Sequence, residues 1–310
     1  MRASISIVMP LFNKAESVVA SIKSIQAQTV SDWELIVVDD GSTDGGAALV
    51  TGLNDSRIRV VTQANAGVSS ARNAGANEAK CALVAFLDAD DLWRPKFLES
   101  ILSLRRDYPN AGMYGTSYDI VQPAGTHYRC RLRGMPASFT RGLFPFYFAV
   151  AAKSDPPIWS SAVAIDKVVL SEVGGFPPGI LSGEDLLTWA RLAVSHPVAY
   201  DSRVLAVHMV SDIERPADPS FRVGAALESL WRENSAVPGL KRYVALWWRM
   251  QATMALRFNE FRFSRKLALR SLRYDLTNAR TYYMLLVSHL PLRLANVFDR
   301  IVRRALVRRH

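Results

Sequence analysis

The sequence predicts an α/β fold, a mostly parallel sheet with flanking helices, followed by an all-helical C-terminal region. Three observations carry this. In the first half, short Val- and Ile-rich runs alternate with longer segments of helical period, which is the pattern of βαβ units. From about residue 221 only helical periods remain. The charge also changes along the chain: residues 1–214 carry 19 Lys and Arg against 22 Asp and Glu, a net of −3, while 215–310 carry 19 against 6, a net of +13. An α/β unit over 1–214 and a basic helical region over 215–310 are therefore expected. With 310 residues, 49% hydrophobic and 21% charged, the chain can bury a core, and disorder, collagen and coiled coil are excluded.

Strands are predicted at 4–9, 34–38, 58–62 and 82–87. After the first, Val18, Val19, Ile22 and Ile25 recur at helical spacing, and Asn13 with Glu16 three positions on predicts a capping box at the helix start. A second helix is expected over Ser69 to Ala79, and a third from Pro95, whose fixed φ suits a first helical position. Residues 120–160 are broken by Gly125, Gly134, Pro136, Gly142, Pro145, Pro156 and Pro157, and read as a long, partly irregular connection able to wall a pocket. A strand near 161–165, a turn at 174–178, a helix from Glu184 to Val194 and a strand at 203–208 complete the unit.

Two cysteines, Cys81 and Cys130, are too few for a disulfide framework or a four-ligand zinc site and suit a reducing compartment. The N-terminal run Ser4 to Met9 lacks the features of a signal peptide, so a cytosolic location is expected. The apolar runs Gly142 to Ala152 and Tyr282 to Val287 are far short of the roughly 20 residues of a spanning helix. No Gly-x-Gly-x-x-Gly follows the first strand and no Gly-x-x-x-x-Gly-Lys-Ser/Thr occurs, which disfavours dinucleotide-dependent dehydrogenases and P-loop enzymes.

Ligands of open parallel sheets bind outside the carboxyl ends of the strands. Those ends are acidic here. The second predicted strand runs into Asp39 and Asp40, the fourth into Asp88, Asp90 and Asp91. Carboxylates gathered at one sheet edge repel unless a cation or hydrogen-bond donors lie among them. Mn²⁺ or Mg²⁺, which take carboxylate oxygens and leave positions for water and phosphates, would answer that. Turn and cap formation by Asp and Asn is the competing account of either cluster alone.

Five segments together carry a resemblance. Ile7-Val-Met-Pro-Leu-Phe-Asn13, Val37-Val-Asp-Asp-Gly-Ser-Thr-Asp44, Asn65-Ala-Gly-Val-Ser-Ser-Ala-Arg-Asn73, Phe86-Leu-Asp-Ala-Asp-Asp91 and Gly183-Glu-Asp185 resemble the ordered motifs of the family 2 glycosyltransferases of GT-A fold, over about residues 4–211. The resemblance implies an inverting transfer from a nucleoside diphosphate sugar, most commonly a UDP-sugar, to a hydroxyl acceptor, with Mn²⁺ or Mg²⁺. It divides the unit into a nucleotide-sugar half, about 1–119, and an acceptor half, about 120–214. It implies that Pro10, Phe12 and Asp40 hold the base, with Asn13 and Asp39 beside them. Asp88 is implied for the ribose, Asp90 for the metal and Arg72 for the diphosphate. Asp185 is implied as the general base, with Glu184 beside it among the nucleotide-sugar-binding residues. His208 resembles the His of a His-x-x-Ser near that point and is assigned to the metal site, with a diphosphate contact or a structural role as the alternatives, and Ala206 stands where an Arg is usual. A saccharide or lipid-linked acceptor follows from the same resemblance.

The residues support those roles: a base wants an aromatic wall, a ribose a carboxylate, and a diphosphate a metal and a cation. The competing accounts are a core position for Phe12, a solvated helix position for Arg72, and N-terminal helix-dipole placement for Glu184 and Asp185. Trp159, Phe176 and Trp189 are candidates to stack on a sugar face.

At 100° per residue Arg293, Arg300, Arg303 and Arg304 share one arc of a last helix opposite Phe298, Ile301 and Leu306. With the aromatic segments Tyr243 to Trp248 and Tyr282 to Tyr283, this predicts an interfacial helix on an anionic membrane face, against a helical cap with a solvated arginine side. Nucleic acid is disfavoured as a partner, because no nucleic-acid module accompanies the charge. A catalytically silent scaffold or polyanion-binding protein is the alternative function.

Overall fold

The computed structural model describes residues 3–210 and 221–290, in two compact units spanning 1–212 and 213–310. In the first unit β1 (Ile5–Leu11), α1 (Ala15–Gln26), β2 (Trp33–Asp39), α2 (Gly46–Thr51), β3 (Ile58–Thr62), α3 (Val68–Glu78) and β4 (Leu83–Phe86) form the predicted alternation. Then come β5 (Leu92–Trp93), α4 (Phe97–Asp107), β6 (Met113–Val121), β7 (His127–Arg129), β8 (Arg141–Leu143) and α5 (Tyr147–Ala151). A 3-10 turn (Ser160–Ala162), β9 (Val163–Asp166), α6 (Lys167–Glu172), α7 (Glu184–Ser195) and β10 (Val198–Met209) end the unit.

The strands make one sheet in the order β3-β2-β1-β4-β9-β6-β10-β5, with β7 on β6 and β8 on β10. The β3-β2-β1-β4 half is parallel throughout. The other half is mixed, since β9 runs antiparallel to both β4 and β6 while β6 and β10 are parallel. The "irregular" 120–160 region thus contains β7, β8 and α5, and its approach contains β6, which the sequence reading missed because Gly115, Thr116 and Ser117 interrupt any apolar run. Thr116 and Ser117 are nevertheless buried.

Residues 5–11 and 33–39 are almost wholly buried, the condition of strands covered on both faces. Pro10 is tolerated in central β1 because pairing with β4 stops at Val8 and Phe86. Gly75 lets α3 lie directly on β1: a Cβ there would stand 2.4 Å from Val8 Cγ1 and 3.1 Å from Val38 Cγ2.

The predicted capping box is corrected. Asn13 has φ +51° and makes no cap; α1 starts after Lys14, and Asp44 Oδ2 accepts from Ala15 N at 2.7 Å. The cap comes from the β2–α2 loop, 29 residues away.

The second unit contains α8 (Arg222–Glu233), α9 (Leu240–Arg257), α10 (Phe261–Leu272) and α11 (Ala279–Val287). Buried Glu228 accepts from Trp248 Nε1 at 3.0 Å and from Arg270 Nε and Nη2 at 2.8 and 2.9 Å, joining α8, α9 and α10. Tyr243, Trp247 and Trp248 are buried in this unit's core, which corrects the expectation that this segment contributes to an interfacial helix. The basic arc from Arg293 to Arg304 and Ser211 lie outside the described residues. Among the described residues no helix is long and apolar enough to cross a membrane.

Candidate functional site

The predicted site residues of the first unit gather at the carboxyl edge of β1, β2 and β4, where the β1–α1 and β2–α2 loops, the start of α3 and the start of α7 meet. The structure resolves the crowd of carboxylates by giving each its own partner. Asp39 Oδ1 accepts from Ser42 N at 2.9 Å, shaping the turn after β2. Asp40 is buried and organises the loop before α3: Oδ1 accepts from Gln63 Nε2 (2.7 Å) and Ala66 N (2.9 Å), and Oδ2 from Gly67 N (2.9 Å). Asn13 ties the first two loops together, its Oδ1 accepting from Thr43 N at 2.9 Å and its N–H donating to Ser42 Oγ at 3.2 Å. Beside them Phe12 is 47% exposed, so it is not a core residue.

After β4, Asp88, Asp90 and Asp91 diverge. Asp88 takes both of its oxygens to Arg72 Nη2, at 2.8 and 3.0 Å. Asp90 Oδ2 pairs with Lys14 Nζ at 2.6 Å and stays partly exposed. Asp91 is 1% exposed and fully satisfied, by Ser161 Oγ (2.6 Å), Trp159 Nε1 (2.9 Å), Met209 N (2.8 Å) and His208 Nδ1 (3.2 Å). The His208 ring also packs on Trp159, centroids 3.9 Å apart.

Arg72 is not a solvated helix residue: 3% exposed, it spans from Asp88 to Glu184 Oε1 at 3.2 Å. The cause is its helix face. Arg72 lies on the side of α3 that Gly75 and Ala76 press against the sheet, so its guanidinium runs beneath the site. Burial opposes its charge, and the carboxylates of Asp88, Glu184 and Asp185 outweigh that and raise its pKa. Its Nε has no hydrogen-bond partner among the described residues.

Asn73, next in α3, fixes the turn that leads to α7. Its Nδ2 donates to Phe176 O at 2.7 Å and its Oδ1 accepts from Phe176 N at 2.9 Å. Phe176 then packs edge-on between Phe86 and Trp189, at 5.1 and 5.6 Å, so Phe176 and Trp189 are core residues and not sugar platforms. Trp159, half-buried, is the one of the three that borders the site.

Gly183, at φ +82°, turns the chain into α7 and puts Glu184 and Asp185 in its first turn, where the helix dipole favours carboxylates. Glu184 is buried, and its carboxyl is pushed up to about 7 by that burial and then by the Asp185 charge, with Arg72 pulling the other way. Asp185 Oδ2 accepts from Ser160 Oγ at 3.2 Å and Oδ1 from Leu186 N at 2.7 Å. The sequence reading missed Lys14, Asn73, Ser160 and Ser161, whose roles exist only through partners 25 or more residues away.

A divalent metal can be tested against these donors. Among the described residues no three His, Cys, Asp or Glu side chains converge as a cage. Asp90 fits differently: it is a partly exposed carboxylate already facing a cationic group, the setting of a Mg²⁺ or Mn²⁺ ion that takes one protein carboxylate and completes its shell with substrate phosphates and water.

Comparison with known proteins places the chain. The family model described as glycosyl transferase family 2 matches residues 6–173. The Escherichia coli protein named UDP-Glc:alpha-D-GlcNAc-diphosphoundecaprenol beta-1,3-glucosyltransferase WfgD is 39% identical over 118 residues, 38% of this chain and 46% of that one. The Rickettsia conorii protein named uncharacterized glycosyltransferase RC0461 is 29% identical over 71% of this chain and 35% of its own length. The chain thus spans less than half of either relative. The putative teichuronic acid biosynthesis glycosyltransferase TuaG of Bacillus subtilis is 30% identical over 63% of this chain and 74% of that one. The structure of S. aureus TarS 1–349 in complex with UDP-GlcNAc shares the fold, with a TM-score of 0.69 at 15% identity over 93% of this chain and 84% of that one. With a mixed α/β sheet of GT-A type, the motifs set along its carboxyl edge and a family match over more than half of its length, the chain belongs to glycosyl transferase family 2.

Proposed function

We propose that this glycosyltransferase is inverting and dependent on Mn²⁺ or Mg²⁺, and that it moves a sugar from a nucleoside diphosphate sugar, a UDP-sugar in our reading, to a hydroxyl of a saccharide or lipid-linked acceptor in cell-surface polysaccharide or glycolipid synthesis. The observation that carries it is the Asp88–Arg72–Glu184 chain through the buried Arg72, which ties the Asp-Ala-Asp segment to the Glu-Asp motif and so sets a donor-binding edge beside a candidate base. The donor named for WfgD supports UDP, and the diphosphoundecaprenol in that name supports a lipid-linked acceptor.

In this reading Phe12 and Pro10 wall the base, while Asn13, Asp39 and Asp40 hold the loops that shape that wall. Asp88 binds the ribose, and Arg72 acts through Asp88 and Glu184 instead of touching the diphosphate. Asp90 and His208 would hold the metal, which when bound supplies positive charge against the departing diphosphate. Asp185 takes the proton of the acceptor hydroxyl as its oxygen attacks the anomeric carbon from the face opposite the leaving group. The sugar C–O bond to the diphosphate breaks as the new one forms, so the configuration inverts.

Attachment to an anionic membrane face by Arg293, Arg300, Arg303 and Arg304 belongs to the same proposal. Replacing all four with Gln should reduce co-sedimentation with anionic vesicles; unchanged co-sedimentation would remove that part. The function is tested by a nucleotide-release screen of UDP-, GDP- and dTDP-sugars with Mn²⁺ or Mg²⁺, alongside calorimetry of the free nucleotides. Release from one donor series is expected, with an α-linked donor giving a β-linked product by NMR. No binding of any nucleoside diphosphate would overturn the proposal.

A further inference from the structure

The 3-10 turn Ser160–Ala162 lies outside every motif that marks the family in this sequence, yet two successive hydroxyls of that turn serve different parts of the site. Ser160 is 2% exposed and donates its Oγ–H to Asp185 Oδ2 at 3.2 Å. Ser161 is completely buried; its Oγ donates to Asp91 Oδ2 at 2.6 Å and accepts from Asp88 N at 3.0 Å. The turn itself is held from behind, since Trp93 Nε1 donates to Ser161 O at 2.6 Å and Trp159 Nε1 donates to Asp91 Oδ2 at 2.9 Å. β9 follows immediately and pairs with β4, the strand that delivers Asp88.

We infer that Ser160 and Ser161 are positioning residues with divided duties, Ser160 orienting the Asp185 carboxylate toward the acceptor and Ser161 locating the Asp88–Asp91 segment that receives the donor. The inference rests on the proposed roles of Asp185 and of Asp88 to Asp91. Its physical basis is that a carboxylate on an open helix start can rotate about its side-chain torsions, and a buried hydroxyl on one oxygen selects a single orientation. Oδ1 of Asp185 is already engaged by Leu186 N, so Ser160 determines where Oδ2 lies. Ser161 holds a backbone N–H and a carboxylate three positions apart, which keeps the short loop after β4 in one conformation. A single rigid turn thereby sets the spacing between the donor-binding loop and the base. Misplacement by about 1 Å in such spacing can cost on the order of 100-fold in rate.

The test uses the full chain, the donor selected by the screen and UDP with Mn²⁺ as the binding probe. Ser160→Ala should lower kcat about 10- to 100-fold while leaving the UDP Kd within about twofold, and Ser160→Thr, which keeps the hydroxyl, should recover most of the turnover. Ser161→Ala should instead raise the UDP Kd and the donor KM about tenfold with a smaller effect on kcat at saturating donor. Should Ser161→Ala fail to fold by thermal melting, Ser161→Cys, near-isosteric with weaker hydrogen bonds, carries the same expectation. Two variants with the same kcat and Kd pattern, or no recovery in Ser160→Thr, would overturn the division of duties. Failure of wild type to bind UDP or any other nucleotide would instead strike at the proposed function, and the two failures are separable.

Discussion

Replacing Glu184 with Gln removes a buried carboxylate without changing its shape, and the structure states what that should do to stability as pH varies. The Glu184 carboxyl is moved from 4.5 to about 7, by burial first and by the Asp185 charge second. A carboxyl held above its unfolded value binds its proton more tightly in the folded chain, so stability falls as pH rises from 4.5 to about 7 and is level beyond. The full difference corresponds to about 3 kcal/mol. Glu184→Gln lacks this cost, while Arg72 keeps the carboxylates of Asp88 and Asp185 beside it. Urea denaturation of wild type and variant at pH 5 and pH 8 therefore should show the variant gaining up to about 3 kcal/mol relative to wild type at the higher pH. A difference that stays constant across the two pH values would refute the assignment of a raised, buried carboxyl at Glu184.

Other perturbations separate the remaining parts. Asp185→Asn should lower turnover by a factor on the order of 100 to 10,000 with UDP affinity nearly intact, while Asp90→Ala should weaken metal-supported UDP binding; calorimetry and nucleotide release would show the assignment wrong if the two phenotypes were exchanged. Asp44→Ala should lower the denaturation midpoint by loss of the α1 cap, whereas Glu16→Gln should leave denaturation unchanged, because Asn13 and Glu16 form no capping box here. Gly75→Ala should destabilise the first unit by about 1–3 kcal/mol, because its methyl would meet Val8 at 2.4 Å, and a neutral melting temperature would contradict that packing.

Wherever the information was local in the chain, it could be read from the sequence. Short Val- and Ile-rich runs located β1 to β4, and helical period located α1 and α3 between them, because both patterns follow from local backbone geometry, whereas the short α2 carried no such signal. The acidic strand ends and the Gly183-Glu-Asp185 segment marked the site for the same reason: short motifs combine a required backbone shape with a required side chain. β6 escaped because its centre is Gly115, Thr116 and Ser117, buried by neighbouring strands and not by their own hydrophobicity. The aromatic segment of α9 supported an interfacial helix in the sequence, and the tertiary structure buries its Tyr243, Trp247 and Trp248 in a helical core.

Which group pairs with which was decided only in three dimensions. Asn13 and Asp44 are both good caps by residue type, and the fold gave the task to Asp44 because the β2–α2 loop reaches the start of α1 while Asn13 is turned to φ +51° to hold that loop. Arg72 carries the charge of a diphosphate ligand, yet a helix pressed onto the sheet at Gly75 leaves its guanidinium no exit except toward Asp88, 16 residues on, and Glu184, 112 residues on. Hydrogen bonds and ion pairs act over about 3 Å and are indifferent to sequence separation. A chain can therefore announce its strands, helices and reactive residue types in its sequence, while the orientation and charge state of those residues wait on the packing that brings distant segments together.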